Sequence, residues 1–466
     1  MTARALALDL FLAVEGGGRL QPILSHFLRR YPLSPEEKAF LTHLAYGVFR
    51  HLRYLDFLLE GLLRKPEKLP PRVRWALRGG AFEFLEGKPG YARVHPWVEE
   101  VKRTHPVLAG LVNAVLRRLA IPSLEVPPGV WLSLPDFLLE KWEAFFGSVE
   151  FAQAFNQPAP LFVTALKGVP ALRPGPLPDS FLWEGPVQDF PALGLQPQNP
   201  ASLFAAQLLE AAPGEEVLDL CGGAGVKAAY LVSRGARVRS LDIDAKRQRA
   251  GERTWRRIGL EVVFETRDLR APIPHQADKV LLDAPCTGTG TLRTHPEARY
   301  RLRPESIQEM ASLQARLLET AAQAVRPGGV LVYAVCTLTE EEGEGVVRAF
   351  LEEHSGFLPE PIEAPLPLLR QGLGVYVRPE GGLDGFYNKG GWCGRGYNAP
   401  HFSAGIHGPP LSSIIKVMAM IRVVILGLDR SEVTPLGQPR RGYVRMEASV
   451  VEGGSAPKGL RSSPPL

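Results

Sequence analysis

Two short segments carry the residues best suited to do chemistry: Asp283-Ala284-Pro285-Cys286 and Tyr333-Ala334-Val335-Cys336-Thr337. Each follows an apolar run that reads as a buried strand, Lys279-Val280-Leu281-Leu282 before the first and Gly329-Val330-Leu331-Val332 before the second. In an open parallel sheet the C-terminal strand ends line the ligand crevice. Two thiols 50 residues apart in sequence are therefore expected to meet at one rim. A cysteine thiolate is the side chain best suited to add to C6 of a pyrimidine ring. That addition is the chemistry needed to place a methyl group on cytosine C5.

A second motif lies upstream. Val217-Leu218-Asp219-Leu220-Cys221-Gly222-Gly223-Ala224-Gly225-Val226-Lys227 reads as a strand, a glycine-rich turn and a helix start. Glycines let the backbone approach a ligand, and a helix N-terminus offers free N–H groups. Asp242 closes the next strand candidate about 20 residues on, where a carboxylate can take both hydroxyls of a ribose. Asp268 follows the third strand, placed to face an adenine amino group, and Asp283 follows the fourth. Four such strand ends in order point to an S-adenosylmethionine site. An NAD-type Rossmann domain is the competing reading; it is disfavoured because the loop lacks a strict G-x-G-x-x-G and the cysteine segments would go unexplained. Cys221 reads as a small buried hydrophobe, and Lys227 either as a ligand contact or as a solvated helix lysine.

These residues need elements to hold them. Residues 201–387 alternate strand and helix, with strands expected at Glu216–Leu220, Arg237–Leu241, Val262–Phe264, Lys279–Leu282 and Val330–Ala334. That pattern predicts a doubly wound parallel α/β sheet. Residues 1–120 carry apolar residues at helical spacing between breakers such as Gly16-Gly17-Gly18 and Pro32, which predicts a helical bundle. Ser34-Pro35-Glu36-Glu37 is a helix start with a cap, proline at the first position and two acids in the first turn. Residues 121–200 are proline-rich, with a helix expected over Trp131 to Phe146 and a strand over Pro160 to Leu166; they read as a small α+β connector. Residues 388–466 change character to Gly, Ser, Pro and Arg and show no fold pattern. They read as a disordered tail, or as the product of a changed reading frame after Tyr387.

Charge is distributed unevenly along the chain. Residues 1–120 hold 19 Lys and Arg against 11 Asp and Glu, whereas residues 121–387 hold 25 against 34. A basic first module beside an acidic second one suggests that polyanion docking is delegated to the first. No apolar run approaches the roughly 20 residues of a membrane helix. Four cysteines without a CxxC pair exclude a disulfide framework and a structural zinc site, and place the chain in the cytoplasm.

With both cysteine segments and the glycine loop in view, the chain resembles the Sun-type (Fmu-type) RNA cytosine-5 methyltransferases, in particular the bacterial 16S rRNA branch with a NusB-like N-terminal domain. The resemblance spans roughly residues 1–387. It is extended by Thr287-Gly288-Thr289-Gly290, Arg293-Thr294-His295-Pro296-Glu297, Glu340-Glu341-Glu342 and Leu383-Asp384-Gly385-Phe386. In the first domain it rests on Leu111-Val112-Asn113-Ala114-Val115-Leu116-Arg117-Arg118. The resemblance implies Cys336 as the nucleophile, Cys286 as the group assisting product release and Asp283 as a contact to the base. It implies a cofactor cradle of Cys221, Gly222, Gly223, Ala224, Gly225, Val226 and Lys227 with Asp242, Asp268 and Asp283. Arg117 and Arg118 become candidates for RNA phosphates, although helix-dipole compensation explains them as well. The implied fold is an all-α NusB-like bundle, an α+β connector and a Rossmann-like methyltransferase domain, acting as a monomer on 16S rRNA without a metal. A tRNA or other rRNA cytosine methyltransferase is the alternative, and a non-catalytic antitermination-type RNA-binding protein is the alternative of another class. The loop departs from the family's usual Ala-Ala-Pro-Gly-Gly, Val335 replaces a threonine, and Gly343 replaces an asparagine.

Overall fold

The computed structural model describes residues 2–123, 125–168, 171–185 and 190–393, with a further strand at 421–423. The first 118 residues form α1 (Ala3–Glu15), α2 (Leu20–Arg30), α3 (Pro35–Glu60), α4 (Pro71–Leu85), α5 (Gly90–Thr104) and α6 (Ala109–Arg118). The start of α3 follows from its sequence. Ser34 Oγ accepts from the Glu37 amide, Glu37 returns the bond to the Ser34 amide, and Pro35 needs no partner at the first position. Leu6, Phe11, Val48, Trp75 and Trp97 share one core, which keeps these helices together without help from the sheet.

The helix expected over Trp131–Phe146 is two: α7 (Pro128–Trp131) and α8 (Asp136–Phe146). The break falls at Ser133, which takes a left-handed φ of 52°, two residues before Pro135. A proline disfavours helical backbone in the residue ahead of it, so one helix cannot run through. Next come three antiparallel strands, β1 (Phe162–Ala165), β2 (Ser180–Leu182) and β3 (Leu195–Pro197), ordered β2-β1-β3, with α9 (Phe190–Leu193) beside them. This small sheet has its own cluster around Val163, Phe181 and Leu195. By contrast, Trp142 of α8 joins the core of the larger sheet and donates to the Leu338 carbonyl at 2.9 Å.

The larger sheet is built from β4 (Glu216–Leu220), β5 (Arg237–Asp242), β6 (Val263–Thr266), β7 (Ala277–Asp283), β8 (Val325–Val335), β9 (Phe357–Pro359), β10 (Leu368–Gln371), β11 (Val375–Val377), β12 (Phe386–Cys393) and β13 (Ile421–Val423). Helices α10 (Pro200–Gln207), α11 (Val226–Ser233), α12 (Ala245–Arg257), α13 (Pro304–Gln323) and α14 (Val346–Glu353) accompany it. The strand path is β10-β11-β12-β8-β7-β4-β5-β6. Strands β6, β5, β4, β7 and β8 run parallel, as expected. The all-parallel expectation is corrected beyond β8, where β12, β11 and β10 are antiparallel and make the sheet mixed.

Strand β12 also crosses the boundary drawn at Tyr387, pairing Asn388 to Trp392 with Ala334 to Val330. Its continuation is unfavourable: both amide atoms of Asn388 are buried without partners, and burial pulls the Lys389 amine down to about 7. The expectations for residues 394–420 and 424–466 lie outside the described residues.

One segment ties the helical domain to the sheet. Following Cys286 come two 3₁₀ turns, Thr289–Thr291, whose Thr289 and Gly290 bond the Cys336 loop, and Pro296–Tyr300, which presents its polar groups to the first domain. Glu297 accepts from the Leu20 amide at 3.0 Å, Tyr300 donates to the Phe49 carbonyl at 2.8 Å, and Arg301 donates to the Val14 and Gly18 carbonyls. Arg299 is buried and, among the described residues, has no carboxylate partner. It donates to the carbonyls of Arg50, Leu132, Phe155 and Leu292 and to the Asn156 side chain, so one guanidinium holds helical domain, connector and catalytic sheet together. Burial lowers its pKa to about 10, which leaves it charged at neutral pH.

Candidate active site

The parallel register delivers both cysteines to one place. Leu282 pairs with Tyr333 and Asp283 with Ala334, so β7 and β8 end together and their loops leave side by side. The Cys286 and Cys336 sulfurs lie 3.2 Å apart. The Cys286 thiol is pushed well up by its bond to Cys336, by burial and by the nearby charge of Glu342. Backbone hydrogen bonds tie the Cys336 loop to its neighbours: the Gly290 amide donates to the Cys336 carbonyl, and the Gly385 amide to the Gly290 carbonyl. A Cβ at Gly290 would lie 1.8 Å from that carbonyl oxygen of Gly385, so only glycine fits there.

Glu342 was quoted from the sequence only as part of an acidic run, and it proves to be the polar centre of the thiol loops. It is fully buried in a single π turn, Glu341–Gly345, a local form that recurs at functional sites. Its Oε1 accepts from the Thr287 amide at 2.7 Å and from Gln314 Nε2 at 3.1 Å. Its Oε2 accepts from the hydroxyls of Thr287, Thr337 and Thr339. Thr287 follows Cys286 and Thr337 follows Cys336, so one carboxylate anchors both cysteine loops. Gln314 also donates to the Pro285 carbonyl at 2.8 Å.

The second half of the site stands at the ends of β4 and β5. The loop alternates left-handed residues, with φ of 60° at Cys221, 59° at Gly223 and 70° at Gly225. A left-handed non-glycine such as Cys221 stores backbone strain, a feature that clusters at ligand sites. Asp242 is buried and accepts from the Gly223 amide at 2.8 Å through one oxygen and from the Asp244 amide at 2.7 Å through the other. Lys227 reaches Asp283 at 2.6 Å, so the structure brings loop and catalytic strand together through an ion pair. Cys221 is held well above its usual range by burial and then by Asp242, Asp283 and Asp219, which leaves it an inert thiol.

Two further residues were not singled out from the sequence. Asp219 is buried on β4, takes a bond from Ser240 at 2.8 Å and has its Oδ1 unpartnered; burial raises its carboxyl to about 7. Ile243, directly after Asp242, is 64% exposed at a strand end where apolar residues are normally covered. Asp268 lies outside this cluster's buried part. It forms a bidentate pair with Arg270 in a largely exposed turn, which holds it down to about 2. Arg117 and Arg118 sit exposed on the last turn of α6, away from the strand ends, with Arg117 bonded to Asn113 at 2.9 Å.

These residues fit S-adenosylmethionine. A turn of left-handed glycines leaves room for a ligand, the buried carboxylate of Asp242 closes the next strand beside that turn, and an orphaned buried oxygen of Asp219 adds to an acidic cluster whose charge suits a sulfonium. The sheet order, loop and acidic strand ends define an S-adenosylmethionine-dependent methyltransferase. Residues 206–387 match the family described as 16S rRNA methyltransferase RsmB/F, and residues 1–120 match the NusB family. The chain is 65% identical over 386 residues to the "Ribosomal RNA small subunit methyltransferase B" of Thermus thermophilus, covering 83% of this chain and 96% of that one. With the "Probable ribosomal RNA small subunit methyltransferase B" of Bacillus subtilis it shares 28% over 443 residues, covering 83% and 97%. The crystal structure of PH0851 superposes with a TM-score of 0.70 at 25% identity, covering 83% of this chain and 97% of that one. The chain belongs to the RsmB/F family of 16S rRNA methyltransferases, with a NusB domain ahead of the catalytic one. Among the described residues no helix is long and apolar enough to cross a membrane.

Proposed function

We propose that this chain methylates C5 of a cytosine in 16S rRNA through a covalent cysteine–C6 adduct, as a monomer in the cytoplasm. The observation that carries the reading is the thiol pair, 3.2 Å apart at adjacent strand ends, with Asp283, paired to Lys227, closing the strand that leads to Cys286. The cradle Cys221–Lys227 with Asp242 would hold S-adenosylmethionine, Ile243 would cover the adenine face, and Asp268 is the outermost candidate for its amino group. Bound there, the cofactor supplies an electrophilic methyl group. Cys336 would add as thiolate to C6, leaving C5 electron-rich, with Cys286 3.2 Å away beside the new C–S bond. Asp283, fixed by Lys227 through Oδ2, would bond the N3 and amino edge and favour the protonated, electrophilic ring. After methylation, loss of the C5 proton re-forms the C5–C6 double bond and releases Cys336, a step Cys286 would assist. The target base must leave its stack to reach this strand-end pocket. The helical domain (1–120) and connector (121–200) would grip the RNA, with Arg117 and Arg118 on phosphates, around the catalytic unit (201–387).

Incubating the protein with S-adenosylmethionine and unmodified 16S rRNA, followed by bisulfite sequencing, should reveal a cytosine newly protected from conversion. Protection confined to tRNA or large-subunit RNA would reassign the substrate, and none in any RNA would reject the activity. Asp242→Ala should weaken S-adenosylmethionine binding by about 1–3 kcal/mol in calorimetry, the scale of a lost charge-assisted hydrogen bond. Unchanged affinity would remove Asp242 from the cofactor site.

A further inference from the structure

Helix α12 departs from the charge of its surroundings. Its 13 residues carry Lys246, Arg247, Arg249, Arg253, Arg256 and Arg257 against the single acid Glu252, inside a region that is acidic as a whole. The buried stripe is Gln248, Gly251 and Trp255. At 100° per residue, Lys246, Arg249, Arg253 and Arg257 fall opposite that stripe, in one row about 16 Å long at 1.5 Å per residue. All four are exposed.

Pairing sets this row apart. Several other arginines near the sheet have acids: Arg239 and Arg267 with Glu265, Arg270 with Asp268, Arg326 with Glu216 and Asp278. On α12 only Arg256 has an ion pair, with Glu252; Lys246, Arg249, Arg253 and Arg257 have none among the described residues. Like charges spaced three and four apart repel and destabilise a helix, so folding does not account for the row.

The helix is also rigidly placed. Trp255 Nε1 donates to the Ala224 carbonyl at 2.6 Å, and Gln248 bonds the Ser240 and Glu265 carbonyls and the Thr266 hydroxyl. A Cβ on Gly251 would meet the Ala224 carbonyl at 2.2 Å, so the helix lies directly on the cofactor loop. The cation row is therefore held at a fixed offset from the proposed methyl donor.

We propose that the outer face of α12 is a docking surface for the phosphate backbone of the RNA substrate, a second electrostatic contact on the catalytic domain in addition to the basic helical domain. This rests on the reading of RNA as the substrate. Phosphates spaced along a strand are the polyanion that a straight row of unpaired cations fits, and a rigid row aligns the strand relative to the cofactor.

The test is RNA binding by the full chain across a salt series, using a 16S rRNA fragment that wild type methylates. Arg249→Gln/Arg253→Gln/Arg257→Gln should make the log affinity–log salt slope shallower by roughly 2, from three phosphate contacts at about 0.7 each for a single strand. Arg→Lys at the same three positions should restore the wild-type slope, and both variants should keep wild-type S-adenosylmethionine affinity and thermal midpoint. A glutamine variant that folds, binds cofactor normally and keeps the wild-type slope overturns the proposal and leaves the row to another partner, such as a protein. Failure of wild type to bind or methylate any RNA would instead overturn the functional reading itself.

Discussion

Cys336→Ala will abolish methyl transfer and leave no covalent RNA adduct, whereas Cys286→Ala will trap one. The loss at Cys336 should reach roughly four orders of magnitude or more, the scale at which removal of a covalent nucleophile acts. Cys286, 3.2 Å away, is a poor substitute, since even without its bond to Cys336 burial and the charge of Glu342 hold its thiol up. Cys286→Ala removes the partner proposed to assist elimination, so addition and methylation proceed while release slows. A complex that survives denaturing electrophoresis and contains a methylated base should then accumulate. The reverse pattern, with the adduct in Cys336→Ala and none in Cys286→Ala, would exchange the two roles.

The second large effect belongs to Glu342. Glu342→Ala removes the carboxylate acceptor of five donors, the Thr287 amide, Gln314 and the Thr287, Thr337 and Thr339 hydroxyls, in a buried site and leaves the Thr287 amide unpaired. About 3–5 kcal/mol of stability should be lost, as when one side of a buried polar cluster is deleted. Glu342→Gln keeps the volume and one acceptor and should fold. The negative charge of Glu342 raises the Cys286 thiol, so its removal lowers that thiol and moves its alkylation profile toward lower pH. If the glutamine variant shows the wild-type profile and the alanine variant is stable and active, Glu342 merely fills space. Coupled loss of adduct formation and a displaced thiol profile would mark it as the residue that positions the pair.

The sequence by itself determined the helical first domain, the five parallel strands and the two strand-end thiols. Each rests on local pattern: apolar spacing near 3.6 in α3, short apolar runs before Asp283 and Cys336, a glycine turn before Lys227. The cap at Ser34 could be read because its partner lies three residues away. What only the tertiary structure decided depends on contacts distant in sequence. Of Glu340, Glu341 and Glu342, the phase of one π turn buries the third among donors from Thr287, 55 residues away, and Gln314, 28 away, as well as from its near neighbours Thr337 and Thr339. Nothing local marks Arg299, which is buried only because five acceptors from three parts of the chain close on it. The antiparallel strands β10 to β12 were not legible because their short segments carry no period long enough to give direction. The unpaired row on α12 was lost in a regional charge balance, since a sum over 267 residues cannot tell which cations have partners and which face water.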